Sequence, residues 1–136
     1  MPLYLCSAQK DTVTAAAKQQ IAKDITAVHC EVTGAPPSFV HVAFFEDGAL
    51  FPLEDKALVV MDTIRMGRTP EQMEEITTAI RRSLATHGGV DVALTEAHLR
   101  ETPASWVLEG GEIMPEPGEE EAWFAAHEAR RQQEST

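Results

Sequence analysis

Basic residues are scarce. Eleven lysines and arginines stand against 22 aspartates and glutamates in a chain of 136 residues, a net charge of −11. A nucleic-acid partner needs a basic face, so that balance excludes one. Cysteine is scarcer still. Cys6 and Cys30 are the only two, without CxxC spacing and without an evident signal peptide before them. That usage predicts two buried, reduced thiols in a cytoplasmic protein. No apolar run approaches the roughly 18 residues of a membrane span. The five histidines, at 29, 41, 87, 98 and 127, show no HxH or HxxxH spacing. No metal site is expected from them, and no cofactor.

What is present suits one domain of α/β (α+β) type over residues 1–136. The apolar fraction is 43%, and a chain of this length buries roughly two-thirds of its unfolded surface. The first β-α-β unit is expected over 2–47. PLYLCSA (2–8) is a short apolar strand. Thr14 is an N-cap, and Ile21, Ile25, Val28 and Val32 then recur on one face of a helix. Gly34, Pro36 and Pro37 stop that helix. FVHVAFFED (39–47) is a second strand, ending at the Asp47-Gly48 turn.

The pattern returns about 55 residues later, over 57–102. ALVVMDTI (57–64) is a strand. Thr69-Pro70-Glu71-Gln72 is a capping box with proline at the first helical position. Met73, Ile76, Ile80 and Leu84 mark the buried face, and Gly88-Gly89 closes the helix. AHLRET (97–102) is the last strand. Residues 103–136 form a turn-rich extension with a terminal helix over 119–133, whose Trp123 and Phe124 either wrap a neighbouring subunit or hang free. The extension is acidic, with seven glutamates over 112–136. Two β-α-β units pair into one mixed sheet with both helices on one face. The other face then lacks a cover, and a closed homotrimer is the simplest way to supply one.

Four features can carry chemistry, each beside a plainer reading. Proline is tolerated at the first residue of a strand, because its missing N–H costs nothing there. If Met1 is removed, however, Pro2 carries a free secondary amine on a rigid ring. Arg65 and Arg68, in TIRMGRTPEQ, bracket Gly67 at the head of the second helix. They either pair with the many glutamates or clamp a carboxylate, aided by the helix N-terminus. His29 falls on or near the buried helix face, as a satisfied core residue or a site residue. Glu109 is the one acid in the apolar, glycine-bounded SWVLEGG. It is an ordinary loop residue or a partly desolvated base for water.

Together, MPLYL, IAKDITAVHCEVTG, DTIRMGR and WVLEGGEIMPEPGEEEAWF resemble the tautomerase superfamily, in the subgroup of cis-3-chloroacrylic acid dehalogenase. The resemblance runs from Pro2 to about Phe124. It implies the doubled β-α-β fold, a trimer, and catalysis by Pro2 after methionine removal. It implies that His29, Arg65 and Arg68 bind the substrate carboxylate, and that Glu109 activates water. Five of six matched positions are kept. The sixth departs: His98 stands where the dehalogenase has a tyrosine. The expected substrate is a small unsaturated or 2-oxo carboxylate, undergoing enol–keto tautomerisation, hydration or hydrolytic dehalogenation. A non-catalytic trimeric module that holds a carboxylate metabolite is the alternative. Retained Met1 would acylate Pro2 and leave no amine, so N-terminal mass separates the two readings.

Overall fold

Leu3–Ala8 makes the first strand, β1, in the computed structural model, which describes residues 2–136; Tyr4, Cys6 and Ala8 are buried on one face, and the end of the strand is buried on both. Helix α1 follows over Ala15–Thr33. The Thr14 side chain accepts the Ala17 amide at 3.1 Å, and Gly34, with φ 76°, turns the chain out of the helix. Only a residue without a Cβ adopts that conformation cheaply. β2 is His41–Glu46 and β3 is Leu58–Arg65. Helix α2, Pro70–Gly88, carries the full capping box: Gln72 N–H bonds the Thr69 hydroxyl, and Thr69 N–H bonds the Gln72 side chain. β4 is Thr95–Thr102. It begins two residues earlier than the pattern AHLRET suggests, because a 3₁₀ turn at Val92–Leu94, capped by Asp91, delivers the chain directly into it.

The four strands lie in the order β2-β1-β3-β4, with β1 parallel to β2 and antiparallel to β3. This is the mixed sheet expected of two β-α-β units. The chain divides into two compact units. The first holds the chain up to Ile64 together with Arg68–Arg100; the second holds Arg65–Gly67 with Glu101–Thr136. The second begins close to the expected extension at 103, but it also takes the three residues that follow Ile64.

In the first unit the core lies between one sheet face and the two helices. Tyr4, Cys6, Leu58, Val60 and Ile64 meet Ile21, Ile25, Ile76, Ile80 and Leu84. Burial of each large aliphatic side chain contributes about 1.5–3 kcal/mol. Cys6 is buried, and burial pushes its thiol up to about 12. Cys30 is only half-buried, which corrects the expectation of two buried thiols; both are free. The other sheet face is not wholly uncovered either. Leu3 is 42% exposed there, but Val59 is buried, and it shares a hollow of about 230 Å³ with Phe51, Pro52 and Leu53 of the β2–β3 loop.

The second unit is built on a hairpin, where the turn-rich sequence predicts no strands. Leu108–Glu109 (β5) pairs with Glu112–Ile113 (β6). Gly110 and Gly111, at φ 60° and 82°, make the two-residue turn whose twist suits a hairpin. Helix α3 spans Glu120–Glu134. Its Trp123 is tied inside the unit: the indole N–H donates to Ile113 O at 2.8 Å, and the ring stacks on His127 at 4.9 Å.

Candidate active site

Pro2 is buried at the head of β1, and its carbonyl accepts the His41 amide at 3.1 Å. The removal of Met1 falls outside the described residues. Strand alternation puts Pro2 and Tyr4 on the helix-facing side of the sheet. The antiparallel register sets Tyr4 directly opposite Asp62. The start of β1 and the end of β3 therefore share one end of the first unit. The helices bring their own residues to that end. Gln72 Nε2, in the first turn of α2, donates to Val32 O in the last turn of α1 at 3.3 Å. His29, one turn earlier in α1, and Arg68, just ahead of the α2 cap, thus lie near this junction.

His29 is 2% exposed. Its Nδ1 lies 2.7 Å from the Tyr4 hydroxyl, with the rings edge-on. A buried imidazole held by a second ring is fixed in orientation, as a ligand-binding histidine must be. Asp62 is 4% exposed, and neither of its carboxyl oxygens completes a hydrogen bond among the described residues. Burial raises its pKa to about 8, and the nearby amides of Thr63 and Leu3 and the Tyr4 hydroxyl, none of them in full hydrogen-bond geometry, only partly oppose this. The Tyr4 hydroxyl is pushed far above its ordinary range by burial and then by the Asp62 charge. Sequence reasoning passed over Asp62 as a buried group beside the site, although a signal existed. In the inward row Leu58, Val60, Asp62, Ile64 it is the one acid.

His98 stands apart from this group within a protomer. Thr95, Ala97 and Leu99 are the more buried positions of β4, and His98 alternates with them. It faces the other side of the sheet, exposed, with Nε2 2.9 Å from Glu96 and with Arg100 beside it. A groove of about 750 Å³ along the outer faces of α1 and α2 is lined by the acids Asp24, Glu31, Glu71, Glu74 and Glu75, which outnumber Arg82 and His87. Its acidic lining repels an anionic substrate. No group of three or more His, Cys, Asp or Glu side chains among the described residues could hold a metal ion.

In the second unit, Arg65 donates from Nη1 to Pro115 O at 2.8 Å and from Nη2 to Glu120 at 3.3 Å. Glu120 is held below its usual range by its own amide, by the Gly118 N–H and by Arg65. This arginine is thus paired with one of the excess glutamates, the plainer of its two readings. Gly67, with φ 108°, passes so close to Pro117 that a Cβ would meet the ring at 2.9 Å. Glu109 ends β5, half-buried, at the mouth of the glycine turn.

The sequence matches the Tautomerase_3 family, described as "Putative oxalocrotonate tautomerase enzyme", over residues 1–128. The chain belongs to this family. Its fold is also that of solved tautomerase structures. N1, a member of the cis-3-chloroacrylic acid dehalogenase family, is 25% identical, with a TM-score of 0.78 over 98% of this chain and 99% of that one. Native Ps01740 is 33% identical, with a TM-score of 0.70 over 79% of this chain and 99% of that one. The symmetric trimer of fused 4-OT is 20% identical, with a TM-score of 0.71 over 82% and 94%. No curated protein matches the sequence. The tautomerase superfamily is enzymatic, and no helix among the described residues is long and apolar enough to cross a membrane.

Proposed function

We propose that this tautomerase-family protein is an enzyme acting on small 2-oxo or unsaturated carboxylates, with Pro2 as its acid–base residue once Met1 is removed. The observation that carries the reading is the buried His29, fixed by Tyr4 at the end of the first unit where β1 begins with Pro2. A free α-amino group titrates at about 7.7–8.0, so both of its forms are accessible near neutrality. As the neutral amine, Pro2 takes the enol proton and returns it to carbon, giving the 2-oxo acid. As the ammonium, it protonates the α-carbon of an unsaturated acid while a water adds to the β-carbon. Chlorine on the β-carbon is then expelled as chloride, and a triple bond gives a keto acid.

His29 and Arg68 bind the carboxylate, with Arg65 and Glu109 in the roles the family resemblance gives them: a second guanidinium on the carboxylate and a base for water. Glu109 is needed for hydration only. His98, in place of the dehalogenase tyrosine, faces away from His29 within one protomer. It reaches such a site only from a neighbouring copy in a trimer, the assembly seen in fused 4-OT. A shorter, titratable side chain at that position weakens dehalogenation more than tautomerisation. Tautomerisation is therefore the main activity. Demethionylated protein should turn over phenylpyruvate enol, and Pro2→Ala should abolish this. An unchanged rate in Pro2→Ala, or a methionine retained on active protein, removes the mechanism and leaves the carboxylate-binding module.

A further inference from the structure

One buried group in the first unit has no part in that mechanism. Asp62 sits opposite Tyr4 on β3, 4% exposed, with both carboxyl oxygens short of any hydrogen bond among the described residues. A buried acid in a sheet interior is costly unless something uses it. The Tyr4 hydroxyl lies 2.7 Å from His29 Nδ1, and the antiparallel register sets Tyr4 directly across from Asp62 on the same sheet face. A hydroxyl has one proton and two lone pairs. It can give that proton to His29 or to Asp62, but not to both.

We infer that Asp62 is a positioning residue that selects the tautomer of His29 through the Tyr4 hydroxyl. This rests on the proposed role of His29 as a donor to the substrate carboxylate. When Asp62 is protonated, it donates to the Tyr4 oxygen and Tyr4 donates to Nδ1. The neutral imidazole then carries its proton on Nε2, where it can donate to a carboxylate. When Asp62 is ionised, Tyr4 donates to the carboxylate instead and accepts from Nδ1–H. Nε2 then presents a lone pair and repels an anion. Proton count balances in both arrangements, which differ by the one proton Asp62 releases to solvent.

Burial sets where the change falls, because it raises the Asp62 pKa to about 8. The titratable groups around Asp62 are few. β1 supplies Tyr4 and the Pro2 nitrogen once exposed by processing, α1 supplies His29, with Cys30 acting on Tyr4, and Arg68, just ahead of α2, is the cation at the same end. The buried side chains of α2 and β4 carry no titratable group: Ile76, Ile80, Ser83 and Leu84 on α2, and Thr95 with the partly buried Ala97 and Leu99 on β4. Pro2 lies diagonally from Asp62 on the same sheet face, so its ammonium form shifts the transition downward.

The test is the nitrogen-15 spectrum of His29 in the full-length protein from pH 6 to 10, read without substrate. The wild type should change from the Nε2–H to the Nδ1–H tautomer around pH 8. Asp62→Asn, which donates its amide to Tyr4 at every pH, should stay Nε2–H, and Tyr4→Phe should lose the transition with Asp62 intact. For the turnover reaction, KM of the wild type should rise about tenfold above the transition, and Asp62→Asn should lack that rise. A wild-type tautomer that ignores pH, or a transition that survives in Asp62→Asn, overturns the inference. Loss of turnover with the spectral transition intact instead overturns the proposed activity.

Discussion

Asp62→Asn should flatten the dependence of stability on pH, and the size of the effect follows from burial. The carboxyl has an ordinary pKa of 3.8 and is raised to about 8 in the folded chain, first by loss of solvent. Between those values the folded state holds a proton that the unfolded state has released. Stability therefore stands in full below the unfolded pKa, falls as pH rises toward about 8, and levels off above it. The slope is at most about 1.4 kcal/mol per pH unit. From pH 5 to pH 8 the loss is on the order of 4 kcal/mol, a large share of the ~5–15 kcal/mol that holds a typical domain together. At 4% exposure, solvent screens little of it. Asparagine cannot ionise, so the variant should match the wild type near pH 5 and exceed it at pH 8. Urea midpoints at fixed protein concentration, from pH 5 to 9, measure this directly. Parallel curves for the two proteins would show that the Asp62 carboxyl titrates normally, and the reasoning from burial would fail.

Ile80, 1% exposed on the inner face of α2, leaves a cavity when cut to alanine. Ile80→Ala should cost ~2–5 kcal/mol in the same urea measurement, and a cost below ~1 kcal/mol would mean that the helix does not seal this core. Glu120→Gln leaves Arg65 with its bond to Pro115 O but without its charged partner. This ion pair is partly exposed, so its contribution is ~1 kcal/mol at most. On the proposed role of Arg65 as a carboxylate ligand, the released guanidinium should lower KM for the carboxylate by up to about fivefold while stability barely changes. A raised KM would show that Glu120 positions Arg65 rather than competing for it.

Much of the fold was legible because its signals are local. Thr14 and Gly34 bound one helix, and the Thr69–Gln72 box opens the other. The apolar faces at 21, 25, 76, 80 and 84 point to one core. The β5–β6 hairpin was not legible, since strands of two residues have no period to detect, and Gly110-Gly111 reads as any turn. Of the site, His29 was visible as a polar residue on an apolar face. The partner that fixes it was not. Tyr4 and His29 are 25 positions apart, and Tyr4 and Asp62 meet only through strand register. Sequence spacing carries helix neighbours and misses cross-strand ones. Glu120, likewise, was one of seven acids in the tail, and nothing local distinguished it as the partner of Arg65.

The core of the first unit is graded along its length, and the gradient connects stability to chemistry. One end is filled by Leu58, Val60, Ile80 and Leu84, side chains with no polar atoms to satisfy. Toward the other end the same strands carry Tyr4 and Asp62, and α1 carries His29, all nearly sealed from solvent. Replacing this polar group with aliphatic side chains would remove an unmet carboxylate and a competing hydroxyl, and on packing grounds alone it would stabilise the fold. A sequence that places these residues where packing disfavours them is using the apolar end to offset the polar one. The dry surroundings that make Asp62 costly also hold Tyr4 and His29 rigid, and they strengthen each proton's preference for one acceptor. Aliphatic substitution of His29 or Tyr4 at the polar end should therefore separate the two properties, raising stability while weakening carboxylate binding, whereas substitutions at the apolar end should lower both together.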